Sequence, residues 1–275
     1  LNTIRFKINL KELDLFLETQ NPEITYKESS IPINNLKVFI DFLSFLKSDP
    51  KIKKIRLSTT ELDITQLNQF SFIKPSNFKS LLHNKIKEGK LISEIEIFFS
   101  NKGKLDDFIA KGEVKDLKLE IFNNLIFNNV NLNFIADKND ILIKNINGDL
   151  EDIKISKGDI KLNLEKGLNL SSNFNSEFSF DKKLLNKYSK FINQKKFLEN
   201  INNIKTTLNN NISINLDKTY KLKNYDYKIS GTIHKSEIEL SKIIKNDYIL
   251  KEIEKIYLSD LQISTNFKDK KIIFK

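Results

Sequence analysis

Apolar and polar residues alternate from residue 89 to residue 180, and Gly, Asn or Asp residues interrupt the alternation at intervals typical of hairpin turns. Val130, Leu132 and Phe134, for example, alternate with asparagines. Successive side chains of a strand point to opposite faces, so this pattern predicts strands with one apolar face. Hairpin-linked strands of this kind form an antiparallel sheet that is apolar on one side and polar on the other.

The apolar side of this sheet needs a cover, because a protein in water rarely exposes so large an apolar surface. Helices of the same chain are one cover and a bound ligand is another, and the pattern leaves both open. The residues predicted to face this side are Val130, Leu132, Phe134, Ile141, Ile143, Ile160, Leu162 and Leu164.

The apolar spacing changes to three and four residues in four stretches, which predicts amphipathic helices over residues 35–47, 65–72, 76–88 and 182–205. We expect the first helix to pack against the sheet rather than to act as a plug or lie on a membrane, because its polar face holds few lysines. The last stretch is richer in lysine. Its polar face is expected to be solvated, with anionic headgroups or another protein as the alternative contact. These lysines are Lys182, Lys183, Lys187, Lys190, Lys195 and Lys196.

The predicted fold class is therefore mainly β with a few helices. Residues 1–88 form strands plus amphipathic helices, residues 89–180 form an antiparallel β-repeat, and residues 181–275 form a helical segment followed by further strands. No linker rich in Pro, Gly or Ser separates these parts, which indicates one continuous architecture.

Composition narrows the function classes. The formal net charge is +10, and almost all of the positive charge is lysine, since only Arg5 and Arg56 are arginines. Nucleic-acid proteins favour arginine forks and base-stacking aromatic residues, and abundant Lys, Asn and Ile are typical of an AT-rich genome. We expect no nucleic-acid partner.

Cysteine and methionine are both absent. The lack of cysteine excludes disulfides and thiolate chemistry. The lack of methionine predicts that the sequence is a segment of a longer protein. No apolar stretch in it is long enough for a transmembrane helix, and no signal peptide is visible.

Candidate catalytic groups are sparse. His83 and His234 are the two histidines, and each is interpreted as a surface residue, His234 beside a turn. Residues 137–140 resemble the start of a calcium loop, but Leu142 and Gly148 occupy the positions that require Gly and Glu, so a hairpin turn is expected. No nucleotide-binding, hydrolase or zinc motif occurs. We expect no enzymatic activity, no metal and no cofactor.

Short segments with Gly or Asn ahead of strand hydrophobics recur along the chain. They are residues 111–117 with 127–132, and residues 146–150 with 158–162. A further pattern comprises residues 30–33, the predicted amphipathic helix, and then residues 52–57 and 61–64. These segments resemble AsmA-like proteins of the Gram-negative envelope, a superfamily that includes the large TamB and YhdP proteins. The likeness is one of pattern and covers most of the chain.

This resemblance implies a curled antiparallel sheet that forms an elongated, taco-like groove with an apolar interior and helices at its ends or opening. It also implies a periplasmic location, an inner-membrane anchor outside this segment, and movement of phospholipid towards the outer membrane. The partners would be phospholipid acyl chains and envelope proteins, and the eight residues that face the apolar side would line the groove. A scaffold for outer-membrane assembly that carries no lipid is the alternative. An adhesin is disfavoured, because only seven glycines are present.

Overall fold

The computed structural model describes residues 3–9, 14–26, 29–69, 85–121, 125–165, 167–189, 200–219, 221–244, 252–268 and 271–274. The strands in these residues are β1 (Arg5–Asn9), β2 (Asp14–Gln20), β3 (Glu23–Tyr26), β4 (Ser29–Ile40), β5 (Ile52–Thr59), β6 (Leu62–Asp63), β7 (Ile86–Phe99), β8 (Leu105–Glu120), β9 (Ile126–Ala136), β10 (Asp140–Leu150), β11 (Ile153–Asn163), β12 (Leu168–Asp181), β13 (Ile201–Leu216), β14 (Leu222–Ile244), β15 (Ile253–Lys268) and β16 (Lys271–Phe274). The helices are α1 (Phe42–Leu46), α2 (Lys182–Ser189) and a 3-10 helix (Ile64–Gln69).

Strand order in the sheet follows strand order in the chain, with β3 placed against β4 and β6 against β7 as side branches. Pairing is antiparallel from β1 to β9 and from β12 to β16. The strands β1 and β16, at the two ends of this order, do not pair with each other. The sheet is therefore open. The expected fold class, mainly antiparallel β-sheet with few helices, is confirmed.

The chain divides into two compact units. Unit 1 comprises Leu1–Gly148 with Ile160–Glu165, and unit 2 comprises Asp149–Asp159 with Lys166–Lys275. The division at residues 88 and 180 expected from the sequence stays a prediction. Residues 137–140 form a hairpin turn as expected, in which the Asp137 carboxylate accepts hydrogen bonds from the backbone N–H groups of Asn139 and Asp140, both at 2.8 Å.

Register gives unit 1 two contrasting faces. On one face, a row of directly paired apolar residues crosses six strands from β1 to β8, and a neighbouring row runs beside it. We call this the apolar face, and its members are Phe6, Leu17, Val38, Ile55, Ile97 and Phe108 in the first row and Leu36, Leu57, Ile95 and Ala110 in the second. The opposite, charged face carries Glu18, Lys37, Arg56, Glu94, Glu96 and Lys111.

Bulges adjust this register inside the strands. Asp116 in β8 and Asn129 in β9 have φ values of 50° and 53°, and the β8–β9 register shifts at these residues. The core residues Leu117 and Val130 follow them directly and are register partners. Each bulge adds one residue, so the left-handed residue takes up the extra step and the next hydrophobic side chain returns to the apolar face. Asn145 in β10, with φ 56°, precedes the buried Ile146 in the same way.

The helix predicted over residues 35–47 is wrong for its first half. β4 continues to Ile40, and only Phe42–Leu46 are helical. Leu36 and Val38 lie on the apolar face, while Phe39 is buried on the charged face. Apolar residues on both faces of one strand break the alternation, and the remaining spacing imitates a helix.

Two of the other predicted helices give way to strands within their expected bounds, and the described part of the third is a 3-10 helix. Residues 64–69 form a 3-10 helix, and the strand β7 already begins at Ile86, within the predicted helix 76–88. Most of that helix lies outside the described residues. The helix predicted over 182–205 ends as α2 at Ser189, residues 190–199 lie outside the described residues, and β13 begins at Ile201.

Unit 2 has its own core around α2. The backbone N–H of Leu184 donates to the Asp181 carboxylate at 2.9 Å, which caps the start of this helix. Leu185 packs with Phe180 and Ile201 in a buried cluster. Lys187, weighed as a headgroup contact, instead pairs with carboxylates at 3.0 and 3.2 Å, so this lysine fixes α2 to the β10–β11 turn. The two carboxylates belong to Glu151 and Asp152.

The bulge at Asn129 gives a test with an unusual sign. In an ordinary strand Gly is less stable than Ala by about 0.5–1 kcal/mol. At φ 53° the order reverses, because a Cβ is strained in the left-handed region. We expect Asn129→Ala to be less stable than Asn129→Gly by about 1 kcal/mol, measured by urea unfolding.

The control is Asn133, a regular exposed position of the same strand. There, the Gly variant should be the less stable of the two. If the Gly variant were less stable than the Ala variant at both positions, the bulge at Asn129 would be absent in solution.

Candidate functional site

The eight residues predicted to line a groove differ in burial. Val130 is only 1% exposed and belongs to the core cluster with Leu62, Leu91, Val114, Leu117 and Ile146. Leu162 is also buried. The other six are half-buried, and four of these pack against the core cluster. The half-buried residues are Leu132, Phe134, Ile141, Ile143, Ile160 and Leu164.

The 3-10 helix is the described element that covers part of this region. Ile64 packs against the core cluster, and its side chain lies 3.2 Å from the place where a Cβ on Gly89 would stand. Gly89, with φ 152°, thus permits close approach of the 3-10 helix to the strand β7. The core cluster is therefore a closed part of unit 1.

The row that crosses six strands is more exposed than the core cluster. Its residues from Leu17 to Phe108 are half-buried and Phe6 is 51% exposed, so an apolar surface remains beside the closed cluster. With strands about 4.8 Å apart, six strands make a band on the order of 24 Å long. Sequence reasoning missed this band, because it placed the lining residues in residues 130–164 and assigned part of β4 to a helix.

The charged face is a ladder of cross-strand ion pairs. Glu18 lies opposite Lys37, and its carboxylate also accepts from the amide of Asn35 at 3.1 Å. A further salt bridge joins Glu18 to Lys7. Farther along the ladder, Arg56 contacts Glu96 at 2.5 Å across the β5–β7 pair. Direct pairs of opposite charge stabilise a sheet, and each forms in one register only.

Phe39 is the apolar centre of this charged face. It is 5% exposed and lies 5.1 Å from Phe16, measured between ring centroids. Lys54 and Arg56 cover its ring at 4.5 and 5.6 Å from the centroid. The alkyl stems and charges of these two residues therefore shield an aromatic side chain that its hydrophobicity alone would place on the apolar face.

One face of β12, β13 and β14 in unit 2 contains buried polar groups. Asn210 is 2% exposed, and its amide donates to the Ser176 hydroxyl at 2.9 Å. The Tyr227 hydroxyl donates to the Asn210 side-chain oxygen at 2.9 Å, and burial raises the pKa of Tyr227. Thr206 is 1% exposed and donates to the Thr232 carbonyl at 2.8 Å. Buried polar groups therefore interrupt the apolar surface of this face.

His234 takes part in a cluster that sequence reasoning missed. It lies within β14 rather than beside a turn. Its Nε2 is 3.1 Å from the Thr207 hydroxyl, and its Nδ1 is 3.4 Å from the Asp260 carboxylate. The order of these groups is that of a hydrolase triad, but the Asp260 side chain is 73% exposed and water competes for each bond. We interpret the cluster as a cross-strand polar ladder. His83 lies outside the described residues.

Two further features were sought in the described part of the chain. No group of three or more His, Asp or Glu side chains there is arranged to hold a metal ion. No helix there has both the length and the apolar character needed to cross a membrane.

These features define an open antiparallel β-sheet protein in which unit 1 has one apolar and one charged face. No family model, curated protein or solved structure matches the chain.

The charged face predicts a pH dependence of stability. The hydrogen bond from Lys7, and then that from Asn35, lowers the pKa of Glu18 from 4.5 to about 2. A carboxyl whose pKa is lowered by folding contributes stability above its unfolded pKa and loses that contribution as the pH falls through the folded value. We expect the free energy of unfolding of wild type to exceed that of Glu18→Gln by on the order of 1–3 kcal/mol at neutral pH. This difference should disappear as the pH falls from 4.5 to about 2.

Urea unfolding at several pH values measures this difference. Glu61→Gln is the control, because it removes an exposed ion pair with Lys90 and should change the free energy of unfolding little at any pH. A difference between wild type and Glu18→Gln that does not change with pH would contradict the role of the ladder.

Proposed function

We propose that the apolar face of unit 1 binds the acyl chains of phospholipids, and that the protein offers a hydrophobic path for lipid in the bacterial envelope. The observation that carries this proposal is the directly paired row of apolar side chains across six strands, from Phe6 to Phe108. The resemblance to AsmA-like proteins agrees with it. Phospholipid transport between the inner and outer membranes, in the periplasm, is the corresponding physiological role.

The energetics of the apolar face suit this role. Each CH₂ group of an acyl chain transferred from water to an apolar surface contributes about 0.8 kcal/mol. A band on the order of 24 Å long can accommodate many such groups. The row contains no charged residue, so a chain placed along it meets no group that must be desolvated without a partner.

Binding of this kind depends on area rather than on a headgroup pocket. Half-buried Ile, Leu, Val and Phe side chains make contacts that change little when a chain shifts along them. Such a surface retains an acyl chain and still permits it to slide. A conduit needs both properties.

The core cluster favours the second candidate, a scaffold that carries no lipid. Val130 is 1% exposed, and Ile64 of the 3-10 helix packs against the same cluster. If the chain covers the whole apolar face in this manner, the sheet serves outer-membrane assembly by its shape alone. The two candidates differ in whether a lipid can reach the row between Leu17 and Phe108.

Two consecutive residues of β8 distinguish the candidates. Phe108 lies on the apolar face, whereas Ile109 pairs with Glu96 on the charged face and is 41% exposed. We expect Phe108→Gln to reduce bound phospholipid roughly threefold or more, because it removes an aromatic contact from the β8 end of the band. Native mass spectrometry and lipid extraction of protein purified from bacterial envelope measure the bound lipid.

Ile109→Gln is the matched control, with the same polar side chain on the opposite face. Circular dichroism and urea unfolding establish that both variants fold. Equal lipid content in the two variants, or a folded wild type without lipid, would contradict the proposal of a lipid conduit and favour the scaffold.

A further inference from the structure

The turn between β4 and β5 carries a short helix whose large apolar side chains are mostly exposed. None of the residues of α1 is buried, and Leu43, Phe45 and Leu46 are 65%, 44% and 64% exposed. Ile52, at the start of β5, is 46% exposed. A helix expected to pack on the sheet thus presents three large apolar side chains to solvent.

This turn is an ordered structure. The Asp41 carboxylate accepts from the backbone N–H of Ser44 at 2.7 Å, which caps α1. The Ser44 hydroxyl donates to the Asp41 carbonyl at 2.8 Å and accepts from the backbone N–H of Lys51 at 3.0 Å. These bonds join the two ends of the turn and hold its apolar side chains outward. We call residues 41–53 the hairpin tip.

The apolar patch continues beyond the hairpin tip. Phe45 contacts Phe6 of β1, with ring centroids 6.3 Å apart, and Phe6 is 51% exposed. Contiguous exposed apolar surface is uncommon on proteins in water and marks a site of association.

Lysines surround this patch. Lys47 ends α1, and Lys51 and Lys53 share a surface recess with Leu43 and Ile52. Lys102, in the β7–β8 turn, lines an adjoining recess with Lys51 and Ile52. Asp49 is the acidic residue between Lys47 and Lys51, and it pairs with Lys51 at 3.3 Å. Asp41 also lines the first recess, so four lysines face two carboxylates and the rim of the patch is net positive.

We propose that the hairpin tip inserts into the surface of a membrane that contains anionic lipid. Leu and Phe side chains on a capped helix, with lysines beside them, match the boundary between acyl chains and headgroups. The apolar side chains would enter the acyl region while the lysine stems extend towards the phosphates. Each lysine near an anionic surface strengthens binding, and this attraction weakens with salt.

This docking goes beyond the lipid path proposed for the apolar face and does not depend on it. Acyl chains on the apolar face would be single molecules removed from a bilayer. The hairpin tip would instead contact an intact bilayer and bring the end of the sheet to its surface.

Fluorescence gives a direct test, because the chain contains no tryptophan. Phe45→Trp places the only indole on α1, and Tyr257→Trp places it at a residue of unit 2 that is 68% exposed. We expect vesicles of phosphatidylcholine mixed with phosphatidylglycerol to shift the emission of Phe45→Trp to shorter wavelength. Brominated lipid should quench it, and Tyr257→Trp should show neither effect.

Flotation with the same vesicles measures binding. The double variant Leu43→Ser with Leu46→Ser should bind roughly tenfold more weakly or worse, since two exposed leucines no longer enter the bilayer. The double variant Lys47→Gln with Lys53→Gln should bind anionic vesicles more weakly than wild type does. Its binding to vesicles of phosphatidylcholine alone should equal that of wild type. The matched control is Ile135→Ser with Leu222→Ser, which alters residues 52% and 57% exposed elsewhere on the chain and should bind as wild type does.

Three results would overturn the proposal. One is unchanged flotation of the double leucine variant. Another is flotation without any change in the emission of Phe45→Trp. The third is a second copy of the chain on the patch, seen as a dimer in sedimentation that the leucine changes abolish, without vesicle binding. Phe108→Gln should float as wild type does, which separates failure of the lipid path from failure of docking.

Discussion

Hydrogen-bonded pairing between strands that are neighbours in the chain is the interaction on which the two faces of unit 1 depend. Because side chains alternate with a period of two, a slip of one residue would exchange Leu17 for Glu18 and Ile55 for Arg56 on the apolar face. The bulges at Asp116 and Asn129 let long strands keep one apolar face despite an extra residue in each. The function proposed for this face requires that register.

The two faces contribute differently to this register. Apolar contacts supply free energy but tolerate small displacements, since one aliphatic neighbour resembles another. The charged face is more selective, because Glu18 meets Lys37 and Arg56 meets Glu96 in one alignment only. Lys37 and Arg56 lie directly opposite each other, and the flanking carboxylates together with Phe39 offset their repulsion. The charged face thus specifies the strand register, and that register places the apolar side chains next to one another on the opposite face.

Sequence reasoning predicted the open antiparallel sheet and the hairpin turn at Asp137 because alternation and turn chemistry are local signals. It failed where a strand is apolar on both sides, as at Val38 and Phe39, since burial under Lys54 cannot be inferred from spacing. Gly or Asn ahead of a hydrophobic residue is interpreted from the sequence as a strand opening. At Asn129 it marks a bulge inside a strand instead, and the three-residue step from Phe127 to Val130 is the sequence signal for that bulge. The six-strand row could not be predicted, because it depends on register between strands.

Agreement between strand order and chain order has a consequence for how such a protein changes over evolutionary time. Each strand depends on its neighbours for hydrogen bonds, so a duplicated hairpin could be inserted and would find partners on both sides. Deletion of a hairpin would bring together two strands that already have compatible edges. The width of the sheet can therefore vary by whole hairpins between related proteins. The sequence of each hairpin can diverge as long as apolar and polar residues continue to alternate. Recognition of such relatives from sequence would then depend on periodicity more than on residue identity.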